Sequence, residues 1–301
     1  MKKIIAASKL SFSPGMTIPV GNAVYTIVKE LGAGTFATVY LCTPHTTDSK
    51  VAIKVISKKH SREALNEHGC LQILGEHPNI VPFIAASKDS LFLVLGHFEL
   101  TLSAKLKQPP FEDGMPTEMI HVISRSILKG LEYLSRKKVV HADIKPMNIL
   151  LDPSNSSRIC DFGSSVREGS VWDWNRTSHW FAAPETINPR IPRKYTSKLD
   201  IFSFASILFK TKTGHYPFVP KVDTDASQLE TIQSKLSIDE ANPNGNLTKL
   251  EQKYPKITEN PNILRVLSLA LVINPLDRAS AEDLLAQAFY CAQPDPPKAN
   301  E

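Results

Sequence analysis

The apolar residues of this chain change their spacing near residue 100, and that change constrains the fold more than any other feature. Before it they alternate or run in short β-branched stretches, as strands do. After it they recur at helical spacing. Residues 24–28, 39–42, 50–56, 80–85 and 91–95 read as strands, with one helix among them over 61–74 that stops at Gly75. Downstream, 119–135 reads as a long amphipathic helix, 199–211 and 263–272 as apolar helices, and 281–289 as a terminal helix. Residues 221–262 are polar, with Pro243, Asn244 and Gly245 as breakers, and predict loops and short helices. The first twenty residues carry Pro14, Gly15 and Pro19 and read as an extension or an edge strand. The Pro-rich end from Gln293 reads as frayed. A strand-rich third followed by a helix-rich remainder predicts two units, and a cleft between two units is a natural place for a ligand.

Composition narrows the classes without choosing among them. The 301 residues are 42% apolar and 22% charged, which excludes collagen-like, disordered and coiled-coil chains. Lys and Arg number 35 against 30 Asp and Glu, a net +5. That excess is mild, and Arg136-Lys137-Lys138 is an isolated cluster, so no nucleic-acid partner is expected. Cys42, Cys70, Cys160 and Cys291 form neither a CxxC pair nor a zinc spacing, which suggests reduced thiols in an intracellular compartment. The basic start at Met1-Lys2-Lys3 is followed by an apolar run that stops at Ser8-Lys9, too short for a secretory signal. No stretch approaches the ~18 apolar residues of a membrane span. A soluble protein of cytoplasm or nucleus, without a membrane partner, is the expectation.

Four motifs carry chemistry. Gly32-Ala33-Gly34-Thr35-Phe36-Ala37-Thr38-Val39 fits G-x-G-x-x-G-x-V with Ala37 in the third glycine place. Glycines there let backbone N–H groups approach phosphate oxygens. Alone, the motif fits a plain hairpin as well, and strand following strand disfavours a dinucleotide-binding turn. Val51-Ala52-Ile53-Lys54 sets a lysine among apolar neighbours on a strand. Such a lysine either points to water or needs a partner for its charge, and Glu67 on the next helix is a candidate. The third motif is His141-Ala142-Asp143-Ile144-Lys145-Pro146-Met147-Asn148, followed by Asp161-Phe162-Gly163. The fourth is Ala183-Pro184-Glu185 with a later Asn274-Pro275-Leu276-Asp277-Arg278.

With these motifs in order over residues 22–290, the chain resembles the eukaryotic-type protein kinases, on the serine/threonine branch because Lys145 follows the aspartate. The resemblance implies an α+β, bilobal fold. It would have an N-lobe of antiparallel sheet plus one helix over 22–97 and a mainly helical C-lobe over 98–291. Residues 1–21 would form an extension and 292–301 a tail. It implies ATP and Mg²⁺ as cofactors and a protein substrate. Asp143 would orient or accept the proton of the substrate hydroxyl, and Lys145 would touch the transferring phosphate. Asn148 and Asp161 would hold Mg²⁺, whose taste for hard oxygens they suit. Lys54 would neutralise the α/β-phosphates and pair with Glu67. Leu31, Gly32, Gly34, Val39, Ala52, Leu95, Gly96, His97, Phe98 and Leu150 would enclose the nucleotide, with Leu95 in the gatekeeper place. Leu71, Phe83, His141 and Phe162 would stack through the core on Asp200, and Glu185 would form a buried ion pair with Arg278.

Departures from the family pattern add further expectations. Ala142 replaces the usual arginine that pairs with a phosphate on the activation segment, so activity without segment phosphorylation is expected. Trp172, Trp174 and Trp180 crowd that segment, either as packing or as a docking surface for a regulatory partner. Thr177 or Ser178 takes the place of the threonine that contacts the catalytic loop. Lys210, with Arg190, Arg193, Lys194 and Lys212, would attract an acidic or already phosphorylated substrate, unless these are solvated surface charges. Cys160 would sit beside the nucleotide with no sign of a lowered pKa. Two other functions compete with a protein kinase. A pseudokinase-like ATP-binding scaffold is weakened by the presence of Lys54, Glu67, Asp143, Asn148 and Asp161. A small-molecule kinase is weakened by the Ala-Pro-Glu segment.

Overall fold

The computed structural model describes residues 11–34, 36–47, 49–171, 179–188, 194–222, 224–236, 238, 243 and 245–291. They divide into two compact units: residues up to His77 together with Val81–Phe98, and Pro78–Ile80 together with the chain from Glu99 onward.

The first unit is a six-stranded antiparallel sheet in the order β1-β2-β3-β4-β6-β5 plus one helix. Its strands are β1 (Thr17–Val20), β2 (Ala23–Ala33), β3 (Ala37–Pro44), β4 (Val51–Ile56), β5 (Phe83–Ala86) and β6 (Phe92–Gly96). Helix α1 spans Ser61–Leu74. It ends where Gly75, at φ 60°, turns the chain while its N–H still bonds the Leu71 carbonyl. The extension reads out as an edge strand: β1 pairs with β2 through a tight Gly21-Asn22 turn. Just before it, Phe12 sets its ring edge-on to Tyr40, 5.7 Å away, and its N–H donates to the Tyr40 hydroxyl. Phe12 thereby covers a core of Ile18, Val20, Tyr25, Ile27, Ile53 and Val94. The strand expected over 80–85 starts later, at Phe83, because Ile80 bridges Ile159 of the second unit and Pro82 has no N–H to give a ladder.

The second unit is mainly helical. After the short β7 (Leu100–Thr101) and α2 (Leu102–Lys105), helix α3 (Thr117–Arg136) buries one apolar stripe, including Ile120, Ile127, Leu131 and Leu134. Then come β8 (Val139–Val140), β9 (Ile149–Leu151), β10 (Ser157–Ile159) and β11 (Val166–Arg167), paired as β7-β9-β10 and β8-β11. Helix α4 (Pro184–Ile187) precedes α5 (Ser197–Thr213), which is buried nearly all round, as a central helix must be. The remaining helices are α6 (Asp225–Lys235), α7 (Thr248–Lys253), α8 (Pro261–Ala270), α9 (Ala281–Leu285) and α10 (Ala288–Cys291). The single terminal helix expected over 281–289 is therefore two short ones. The chain turns at Ala286-Gln287 so that Phe289 and Tyr290 can pack on His121 of α3, with ring centres 5.3 and 5.9 Å away.

Among the described residues no helix is long and apolar enough to cross a membrane. The frayed end predicted from Gln293 lies outside them.

Candidate active site

In the first unit, β2 and β3 carry the glycine-rich turn. Gly34 donates its N–H to the Ala37 carbonyl at 2.8 Å, closing the turn, while Thr35 lies outside the described residues. Neither Gly32 nor Gly34 has a neighbour that a Cβ would strike, so their value is an open backbone rather than tight packing. Register pairs Val39 with Lys54 across β3–β4, and Ala52 with Leu95 across β4–β6. Lys54 Nζ stands 2.6 Å from Glu67 Oε2, with the lysine 13% and the glutamate 2% exposed. A buried glutamate is tolerable only with such a partner. At the end of β6, Gly96 donates to the Pro82 carbonyl, and a Cβ on it would meet the proline ring at 3.0 Å. A side chain here would have to displace that ring, so the close approach favours glycine. His97 and Phe98 follow, and Leu31 near the turn is 42% exposed.

In the second unit the loop after β8 gathers four polar side chains. Lys145 Nζ lies 2.7 Å from Asp143 Oδ2. Asn148 Nδ2 donates to the Asp143 carbonyl at 2.8 Å and to Oδ2 at 3.2 Å. Both amide hydrogens thus face Asp143, which leaves Oδ1 as the atom of Asn148 that could serve a metal ion. The Cys160 N–H bonds the Asn148 carbonyl at 3.0 Å, which holds the segment carrying Asp161 against this loop. Leu150 lies in β9, between Arg158 on β10 and Thr101 on β7.

Two non-glycine residues here adopt left-handed backbone: Ala142 at φ 64° and Asp161 at φ 68°. Such strain persists only where surrounding bonds over-determine it. At Ala142, Asp200 supplies those bonds, accepting the His141 N–H at 2.7 Å and the Ala142 N–H at 2.9 Å. Burial pushes the Asp200 carboxyl up to about 7, against the pull of those two donors.

His141 links the two aspartate loops, a role that its reading as a packing residue did not contain. Its Nδ1 accepts the Asp143 N–H at 3.2 Å, and its Nε2 lies 3.0 Å from the Cys160 carbonyl. Only the neutral ring with the proton on Nε2 satisfies both bonds. Burial, which holds the imidazole below its ordinary pKa, agrees with that tautomer. The ring also packs edge-on to Phe162, centres 5.0 Å apart. No local pattern announces these bonds, because their partners come from distant segments.

Glu185 and Arg278 form a bidentate pair at 2.7 and 2.9 Å, with the guanidinium fully buried. The arginine also donates to the carbonyls of Val272, Lys198 and Ile273, so its donors are satisfied.

Among the described residues no group of three or more His, Cys, Asp or Glu side chains could hold a metal by itself. An amide oxygen and one carboxylate are the donors the loop presents. That set suits a hard cation that takes most of its shell from phosphate and water. Of the aromatic cluster, Trp172 and Trp174 lie outside the described residues, as do Thr177 and Ser178. Trp180 is 41% exposed and touches Tyr216 at 5.2 Å between ring centres.

Comparison with known proteins gives matches along nearly the whole chain. The family described as "Protein kinase domain" matches residues 25–290. The chain is 29% identical over 282 residues to the carbon catabolite-derepressing protein kinase of Saccharomyces cerevisiae, covering 90% of this chain and 40% of that protein. It is 29% identical to cyclin-dependent kinase 7 of Xenopus laevis, over 90% of this chain and 82% of the relative. It is also 29% identical to protein kinase gsk3 of Schizosaccharomyces pombe, over 94% and 78%. The chain spans about two fifths of the length of the yeast relative. With its motifs in order and nearly its whole length matched, the chain belongs to the protein kinase domain family.

Proposed function

We propose that the chain is a serine/threonine protein kinase that moves the γ-phosphoryl group of ATP to hydroxyls of protein substrates. The observation that carries this reading is the convergence of Lys145 and Asn148 on one oxygen of Asp143, at 2.7 and 3.2 Å. Two donors on one oxygen hold the carboxylate in a single orientation, which a group receiving the substrate proton needs. Lys145 sets positive charge beside the reacting oxygen, where it stabilises charge as transfer proceeds. Mg²⁺, when bound by Asn148 and Asp161, supplies charge neutralisation to the phosphates. Lys54, held by Glu67, serves the α/β-phosphates, and the backbone at Gly32 and Gly34 covers them. Leu31, Val39, Ala52, Leu95, Gly96, His97, Phe98 and Leu150 hold the adenine.

Transfer of labelled phosphate to a generic Ser/Thr protein substrate tests this. Asp143→Asn should lose at least about 100-fold in rate, the lower range for a positioned acid–base group. Equal rates for the two proteins would overturn the reading in favour of an ATP-binding scaffold. Transfer to a small molecule alone would favour the other alternative.

Ala142 cannot pair with a phosphate, so activity should survive phosphatase treatment of the purified protein. Loss of activity, restored by rephosphorylation of the activation segment, would refute that part. Trp180, half-exposed in that segment, is the described residue on which a regulatory partner would dock. The compartment is intracellular in this reading. Cys42 and Cys70 are free, with thiols pushed up to about 11 by burial, so they are inert rather than poised for disulfide exchange.

A preference for acidic substrates finds little support at the basic residues first considered for it. Lys210 donates to the Gly214 carbonyl at the end of its own helix and lies over the Tyr216 ring. Lys212 is paired with Glu259 at 2.9 Å. Arg190 and Arg193 lie outside the described residues. Lys194 is the exposed one that remains.

A further inference from the structure

Three lysines crowd together on a different part of the second unit, at the end of α6. The local fold forces them there. Gly245, at φ 76°, returns the chain so closely that a Cβ on it would strike Leu236 at 2.8 Å. The Asn246 N–H then bonds the Leu236 carbonyl at 2.6 Å. Helix α7 is thereby laid against the last turn of α6, with Ile232, Leu236 and Leu250 fully buried beneath. Lys249 and Lys253 stand four residues apart on α7, so they share its outer face. Lys249 Nζ reaches the carbonyl of Ser234 at 2.9 Å, beside Lys235, the last residue of α6. Lys253 lies over the Tyr254 ring at 5.3 Å, and its charge acts on Lys235.

Like charges so placed repel, and among the described residues no carboxylate offsets them. Among the described residues no ion pair joins any of the three to a carboxylate. Burial lowers the pKa of Lys235, and the charges of Lys253 and Lys249 lower it further. One carbonyl and one ring face occupy only a fraction of nine ammonium hydrogens. A group with several strong acceptor oxygens and up to two negative charges matches what is left over.

We propose that Lys235, Lys249 and Lys253 form a binding site for a phosphoryl group carried on a phosphorylated protein segment. A membrane surface is the less suitable source. Bilayer-binding faces combine basic residues with exposed large apolar ones, and among the described residues of 225–260 no large apolar side chain is exposed. The site lies on residues that take no part in the proposed phosphoryl transfer, so a bound phosphosegment would tether a partner rather than occupy the reacting position.

The test is a fluorescence-anisotropy titration of the whole chain, at low and at physiological salt. The probe is a labelled peptide with one phosphoserine, compared with the same peptide bearing serine. The phosphopeptide should bind at least tenfold tighter, with the advantage shrinking as salt rises. The K235Q/K249Q/K253Q variant should lose that advantage while keeping its unfolding temperature and its transfer rate on the generic substrate. Equal affinity of the two peptides would overturn the site, and so would an unchanged preference in the variant. Binding only to vesicles containing a phosphoinositide, with no response to the phosphopeptide, would overturn the assignment to a protein partner. Asp143→Asn protein should bind the phosphopeptide as the parent does, which keeps this outcome separate from that of the transfer experiment.

Discussion

Arg278 is the largest fully buried side chain of the described residues, and it comes from the far end of the chain to meet Glu185. Removing one member of a buried pair strands the other charge, at a cost of about 3–5 kcal/mol. Glu185→Ala should therefore lower the unfolding free energy by that amount in urea. A double variant with Arg278→Met should recover part of the loss, since no lone charge remains. If the double variant is as unstable as the two single losses summed, the pair is not coupled as drawn. The motif identified both residues as partners. Nothing local showed that Arg278 also binds three carbonyls and lies 5.1 Å from the Phe202 ring. In the same way Asp143, Lys145 and Asn148 stood in one short run, whereas Asp200, which holds the strained Ala142 by its N–H, is far off in sequence. Residue types, local spacing and the motif pairs Lys54–Glu67 and Glu185–Arg278 were legible, and the further bonds that hold these residues were not.

At the scale of elements, the strongest periodic segments were also the most legible. Helix α1 matched its predicted span because Gly75 is a decisive stop, and α3 did so within a residue or two because its apolar stripe is narrow and regular. The end of the chain was misread because 281–289 keeps helical spacing while its aromatic residues gain more by turning onto α3. That contact has a pH signature. Burial against Phe289 and Tyr290, helped by the charge of Arg125, holds His121 below its ordinary value of 6.5. Below pH 6.5 the unfolded chain takes up a proton that the folded chain resists. The contribution is complete above that pH and is lost as pH falls below it. Urea midpoints at pH 7.5 and at roughly pH 5.5 should therefore differ more for the parent than for His121→Phe. Parallel losses in the two proteins would assign the acid sensitivity elsewhere, with His141 the next group to examine.

For the whole molecule, the apolar spacing changes near residue 100, and the first unit ends at Phe98. What the spacing could not reveal is the excursion at Pro78–Ile80, three residues that belong with the helical unit although the first unit flanks them on both sides. Their contribution there is specific. The Asn79 side chain donates to the Ser157 carbonyl at 3.0 Å, and its own carbonyl accepts the Ile159 N–H at 2.9 Å. That carbonyl and the Ile159 side chain lie so close to Gly130 that α3 has no room there for a methyl group. The chain thus passes between its units three times, not once. No single cut separates the two units: a fragment beginning at Glu99 would leave β10 without its bonds to Asn79, and one ending at Phe98 would carry a stitch with nothing to sew. The two units can be told apart by their folds, yet neither is one continuous stretch of chain.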